Sequence, residues 1–468
     1  MKVLLQNCNC FHYNSDGQAA TSVVDILIDG EKIVDVRENI PKDGVERVYD
    51  LQGMEVFPGG IDSNVHFNYV QGGDKAVSAD DFGTGSMAAI AGGTTTVMDF
   101  VEPKQGETAY QTLQKRKDTA DHDGVKTDYA FHFSVCNREQ IPLIKDAAKV
   151  EESFKIYTVY NGIKIDSTRD MFDIFSEIAK YHKIAMVHCE NDQVISENVP
   201  KAKIIQEMPQ VRPEFNEIEA TTRVLTIGEL TNCSVHIAHA TLPDQVRIIN
   251  IYAKQRHYSP EIVTCEATAH HLLLDNRLYS THPFKEDLVM SPPLQAPEKV
   301  DEMKRMLADG AINWTVSDHC PFTRDQRNGD FAPFQSIHTR KQRKFFEMPG
   351  GTNGVQVRFI LTYSTMKQFG CGLQQIAMQT SQNAADRFHL AGKGRICAGY
   401  DADLVVVNPS ARTVFTLDQM KERMDGSLFE GQVFKGQIEK VFVRGREAGR
   451  DELLPGRYLR AEKLQAGL

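Results

Sequence analysis

The sequence predicts an α/β protein: a (β/α)8 barrel carrying a small β-sandwich that both termini build together. Three observations lead there. At 468 residues the chain is too long for one small core and suits a large domain plus a smaller one. Between about residues 56 and 390, short apolar strands alternate with helix-like stretches, and eight such β-then-α units make a parallel barrel. The β-rich stretches at the two ends, neither large enough to bury a core alone, suit one shared sandwich with the barrel inserted between them.

At the N-terminus, DILIDGEKIVDV (Asp25 to Val36) is two alternating runs around Asp29-Gly30, a type I′ hairpin signal. The eight candidate barrel strands are Met54–Asp62, Thr94–Phe100, Tyr129–Val135, Phe154–Tyr160, Ile184–His188, Ser234–His239, Ile262–Ala267 and Ile312–Asp318. Helical periodicity is clear in MFDIFSEIAK (Met171 to Lys180) and IEATTRVLTIGEL (Ile218 to Leu230). The second β-rich stretch holds ADLVVVNP (Ala402 to Pro409) and IEKVFVRGR (Ile438 to Arg446). The expected division is residues 1–55 and 395–450 for the sandwich, 56–394 for the barrel, and 451–468 for a C-terminal tail.

Composition excludes more than it identifies. Hydrophobic residues at 41% and charged residues at 25% are ordinary for a globular protein. A net charge of −10 argues against nucleic-acid or anionic-membrane partners, which want a basic surface. The opening MKVLLQNCNCFHYNSDG has too short an apolar run for a signal peptide or membrane span. Nine cysteines without a C-x-x-C pair read as reduced, buried thiols of a cytoplasmic protein.

The chemistry sits at strand ends. His66, Lys155, His188, His239 and Asp318 lie in separate candidate strands or just past them, and in a barrel those ends converge on one face. A lone histidine after a strand is more often a hydrogen-bonded core or surface residue than a ligand, so the weight falls on the set. Lys155, in SFKIYTVY (Ser153 to Tyr160), is the sharpest member, because a lysine in an apolar strand is costly unless its charge is removed or paired. Carbamylation by CO2 would turn it into an anionic bridge between two metal ions; a Lys155–Asp318 ion pair is the alternative. Asp318, in TVSDHCP, can both ligate a metal and shuttle a proton. His319 should point away, His270 and His271 belong to the loop after strand seven, and His236 is structural.

In order along the chain, PGGIDSNVH ending at His66, GGTTTVMDF ending at Phe100, SFKIYTVY, VHCEN ending at Asn191, HIAHAT ending at Thr241, MSPPL ending at Leu294, SDHCPF ending at Phe322 and GYDADL ending at Leu404 resemble the dihydropyrimidinase–hydantoinase branch of the amidohydrolase superfamily. CEATAHHLLL (Cys265 to Leu274) is similar to the matching segment of dihydroorotases. The resemblance implies a distorted TIM barrel with a terminal β-sandwich, a homotetramer, and one or two divalent metals per chain, usually zinc. It implies that His66 and Asp318 hold one metal, carbamylated Lys155 bridges, and His188 with His239 hold the second. It implies that Tyr160 stabilises an oxyanion and that the Ser291 backbone contacts the substrate ring amide. The implied reaction opens a small cyclic amide (a dihydropyrimidine, hydantoin or related ureide) to an N-carbamoyl acid through metal-bound hydroxide.

Two positions depart from that pattern. Asn64 stands where the first H-x-H histidine belongs, and an amide oxygen suits harder metals better than it suits zinc. In MPGGTNGV, Gly350 replaces an asparagine common in the family, so that its substrate contact is either missing or supplied by Asn353 from a shifted position. Loss of the first histidine also marks the non-catalytic collapsin-response-mediator relatives, so a silent oligomeric interaction protein is the competing reading. Those relatives also lack the bridging lysine and most other ligands, all of which are present here. A site keeping a single metal is a third reading.

Overall fold

The computed structural model describes residues 1–71, 76–255, 263–328 and 348–460. Its centre is a sheet of eight parallel strands in chain order: Gly60–Asp62, Thr94–Val101, Asp128–Ser134, Ser153–Tyr157, Ile184–His188, Ser234–Ile237, Val263–Thr268 and Trp314–Val316. The first and last of these do not pair as strands. The seam is closed just beyond them by a bridge between Val65 and His319, and Asp62 accepts from the Ser317 amide at 3.1 Å. The result is a distorted TIM barrel, as expected.

The candidate strand Met54–Asp62 is in fact two. Glu55–Pro58 pairs with strands from both ends of the chain, and only Gly60–Asp62 enters the barrel. The glycines of FPGG make this crossing possible. A Cβ on Gly59 would lie 2.1 Å from Thr95 Oγ1, and one on Gly60 would lie 2.7 Å from the Gly93 carbonyl. Ile262 of the seventh candidate strand lies outside the described residues.

A second eight-stranded sheet draws Lys2–Tyr13, Ala19–Asp29 and Lys32–Arg37 from one end of the chain and Leu404–Val414 and Val433–Val443 from the other. Its alternation serves two cores. Leu404 and Val406 pack with Val3, Leu5, Ile26 and Phe442, while Val405 and Val407 join the barrel core. The hairpin at Asp29–Lys32 forms, but of its loop residues only Gly30 has positive φ, which is the type II′ pattern, not type I′.

Helices cover the barrel. Thr168–Ala179 is capped by Ser167 and buries Met171, Ile174, Phe175 and Ile178, one stripe at helical spacing. Among the described residues no helix is long and apolar enough to cross a membrane. All nine cysteines are free, and all but Cys397 are buried.

Candidate active site

The strands deliver their polar residues to a cavity of about 790 Å³ at their C-terminal ends. His66, Lys155, His188, His239 and Asp318 all line it. Tyr160 and Ser291 line it too. His239, Asp318 and Tyr160 have φ of +37°, +50° and +84°. Left-handed backbone at non-glycine residues costs about 1–3 kcal/mol each and persists where the surroundings enforce it. At Asp318 this turn sends the carboxylate inward, while His319 points away to Asp80 at 3.1 Å.

His188 Nδ1 and His239 Nε2 face each other at 2.9 Å, and the remaining nitrogen of His239 is buried without a partner. Burial lowers the pKa of both rings, and their mutual repulsion lowers His239 further, so both are neutral imidazoles with a lone pair to donate. His188 is fixed from behind: its Nε2 meets Glu190 Oε2 at 2.8 Å, and Arg212 Nη1 donates to the same oxygen at 2.5 Å. Burial would raise the Glu190 carboxyl, but Arg212 and His188 hold it down at about 2. On the next residue, Asn191 caps helix Asp192–Asn198, which accounts for the rest of VHCEN.

Opposite, His66 Nε2 lies 3.1 Å from Asp318 Oδ1, with the imidazole stacked on Phe100 at a centroid distance of 4.5 Å. Burial alone would raise the Asp318 carboxyl, but the His66 hydrogen bond and the nearby His239 and His270 rings leave it well below the usual carboxylate range. Lys155 sits mid-strand, 1% exposed, with Nζ over the rings of Phe100 and Tyr157. Among the described residues no carboxylate is within ion-pairing distance of it, so the Lys155–Asp318 pair is not formed. Burial pushes its pKa down, against the pull of Asp318 and Glu266. Two neutral imidazole nitrogens, a carboxylate and an uncompensated lysine around one cavity fit a divalent cation in their donor chemistry.

Two expected site residues sit elsewhere. Asn64 is fully buried beneath the cavity, its Nδ2 donating to Glu266 Oε1 at 2.8 Å and its Oδ1 without a partner. Asn353 does not line the cavity: its Nδ2 donates to Glu422 and Ser427, so it does not stand in for the contact missing at Gly350. The backbone turns that place Gly350 and Thr352 at the wall carry Asn353 past it.

Sequence reasoning missed Glu190, Arg212, Glu266 and Glu102. Glu190 and Glu266 were visible as acidic residues inside VHCEN and CEATAHH, where an apolar strand end should carry none. Glu266 gathers Asn64, Ser63 Oγ at 3.1 Å, Trp314 Nε1 at 3.2 Å and His236 Nε2 at 3.1 Å, so His236 is structural as expected. His270 lines the cavity, whereas His271 is held by Thr268 and the Pro292 carbonyl. Asp128, Asp401 and Asp403 also cluster closely enough for a cation, but Lys393 Nζ fills their centre at 2.6, 2.9 and 2.6 Å.

The model of the amidohydrolase family matches residues 56–448. A dihydropyrimidinase of Rattus norvegicus is 30% identical over 452 residues, spanning 92% of this chain and 83% of the relative. A D-hydantoinase of Ralstonia pickettii is 29% identical over 418 residues, 86% of each chain. Among solved structures, the dihydropyrimidinase from Brevibacillus agri superposes with a TM-score of 0.86 at 25% identity, and a D-hydantoinase from Thermus sp. with 0.85 at 27%; both cover 98% of each chain.

Proposed function

We propose, from the premise that this chain belongs to the amidohydrolase family and to its dihydropyrimidinase–hydantoinase branch, that its cavity opens dihydropyrimidine, hydantoin or related cyclic ureide rings to N-carbamoyl acids. It is a cyclic amidohydrolase; the ring class and the residue roles below are our reading. The observation that carries them is the convergence of His188 Nδ1 and His239 Nε2 beside an unpaired buried lysine and the His66–Asp318 pair.

In this reading His188, His239, His66, Asp318 and Lys155, the last as a carbamate, would hold one or two divalent metals, most simply zinc. Carbamylation adds CO2 to the neutral amine and releases one proton, and it removes the cost of an unpaired ammonium in an apolar strand. Bound metal supplies Lewis acidity and a water whose pKa is about 7. Asp318 takes the proton from the attacking water and returns it to the ring nitrogen as the C–N bond breaks. Tyr160, kept protonated by burial, donates its hydroxyl to the oxyanion of the tetrahedral intermediate. Ser291 orients the ring amide, and the Arg212–Glu190 pair keeps the His188 ring from turning. Nine unpaired cysteines support a reducing, cytoplasmic setting, and a homotetramer is the branch-level expectation for assembly.

Metal analysis of the native protein, intact mass and hydrolysis of dihydrouracil and hydantoin test this together. Bound metal, a mass increment of one CO2 lost in Lys155→Ala, and turnover abolished in the same variant are expected. Protein without metal, with unmodified Lys155 and no turnover after metal addition would overturn it.

A further inference from the structure

The reaction cavity adjoins a second cavity of about 880 Å³, and the two share a wall containing Tyr69, Val70, Glu102 and Ile163. Glu102 and Asp318 are the only carboxylates lining the reaction cavity among the described residues, and the proposed chemistry uses only Asp318. Tyr69 Oη donates to Glu102 Oε1 at 3.0 Å. No other hydrogen bond or ion pair engages Glu102 among the described residues, so its second oxygen is uncommitted. Tyr157 lines only the reaction cavity, 4% exposed as a residue and with its hydroxyl without a hydrogen-bond partner. A buried hydroxyl left unpaired costs about 1–3 kcal/mol. This corner borders the chemistry: the Tyr69 and His66 rings are 5.0 Å apart, and Lys155 Nζ is 5.1 Å from the Tyr157 ring. The space beyond the wall offers polar groups, among them Lys104, Glu107, Asn137 and Gln140, beside apolar ones such as Val101 and Leu143.

We propose that Glu102, Tyr69 and Tyr157 form a specificity subsite that selects rings bearing a substituent with N–H donors, such as a ureido or amino group, directed toward the second cavity. The inference rests on the ring-opening reading of the site. Burial raises the Glu102 carboxyl while Tyr69, His66 and Arg116 pull it back down; in its carboxylate form it only accepts, so it rewards N–H donors, and an alkyl substituent would strand its free oxygen without a partner. A site built around such a hydrogen bond rejects analogues that lack it far more strongly than a pocket rejects a change in size.

The test compares 5-ureidohydantoin, a 5-aminoalkylhydantoin and a 5-alkylhydantoin of similar length, with unsubstituted hydantoin and dihydrouracil alongside. The expected wild-type kcat/KM favours the donor-bearing rings over the alkyl ring by about tenfold or more. In Glu102→Leu that ratio should fall to about one or invert, with a smaller fall in Tyr157→Phe. The ureido and amino arms tell a neutral donor from a cation. A wild type that prefers the alkyl ring, or variants that change all rings by the same factor, would overturn the subsite. If no ring is opened, unsubstituted ones included, the ring-opening reading fails; calorimetric affinities of the same series for the metal-loaded protein then decide the subsite alone. Tyr69→Phe serves if Glu102→Leu does not fold.

Discussion

Glu266 holds the amide nitrogen of Asn64, which is fully buried and does not line the cavity, so no imidazole stands where the first H-x-H histidine belongs. Under the proposed two-metal reading, a first position that lacks this imidazole should fill less tightly than the His188–His239 position. Metal analysis after dialysis is expected to find about one tightly held ion per chain, rising toward two in Asn64→His together with higher turnover. Equal, tight loading of two ions in the wild type would refute this. Asn353 carries the opposite expectation. Its bonds to Glu422 and Ser427 brace the chain behind the cavity, so Asn353→Ala should lower stability by about 1–3 kcal/mol in urea denaturation and leave KM for the ring unchanged. The ligand-type residues were legible because each lies in or just past an apolar strand, and a barrel brings such strands together around one cavity. The partners that orient them were not, since Glu190 with Arg212 and Asn64 with Glu266 are far apart in sequence or on different strands, and nothing in a one-dimensional pattern joins them.

At the scale of elements, the strands were readable as apolar runs, and the misplaced ends have physical causes. Tyr160, His239 and Asp318 were read as strand residues because they continue a run, but each lies outside its strand with a left-handed backbone. Met54–Asp62 reads as one strand because it is buried from Glu55 on; periodicity cannot show that a buried run passes from one sheet to another. The segment after residue 455 gives a prediction of its own. It lies along the strand Asp128–Ser134, with Tyr129 N donating to the Arg457 carbonyl and Leu459 N to the Tyr129 carbonyl, and Tyr458 donates its hydroxyl to buried Glu151. Burial pushes the Glu151 carboxyl from an ordinary 4.5 up to about 8. The folded state thus keeps a proton that the unfolded chain releases. This contribution to stability is complete below about pH 4.5 and is lost as pH rises to about 8. Urea midpoints should fall across that window in the wild type and fall less in Glu151→Gln; equal slopes would exclude the assignment.

At the scale of the whole molecule, the barrel and the sheet built from the two chain ends meet at Lys393. Its ammonium reaches Asp128 on a barrel strand and Asp401 and Asp403 just before Leu404–Val414, while Lys32 Nζ from the N-terminal strands reaches Asp401 at 2.8 Å. The three carboxylates keep Lys393 charged against the pull of burial. The motif GYDADL, which helped to define the resemblance, thus joins the two sheets and takes no part in the chemistry. Lys393→Ala would remove the cation that all three carboxylates share and leave buried Asp403 without an ion pair among the described residues, while Lys32, Arg444 and Arg457 still reach Asp401 and Asp128; breaking such a buried pair costs about 3–5 kcal/mol. Thermal melting of the variant should show a large drop. The oxygens of the three aspartates lie within 4.8 Å of one another, a spacing that a hard divalent cation with oxygen ligands can use. Millimolar calcium is therefore expected to restore part of the melting temperature of Lys393→Ala and to leave the wild type unmoved, because there the ammonium already occupies the centre. A variant that melts like the wild type, or calcium that shifts both proteins equally, would show that other contacts hold the two sheets together.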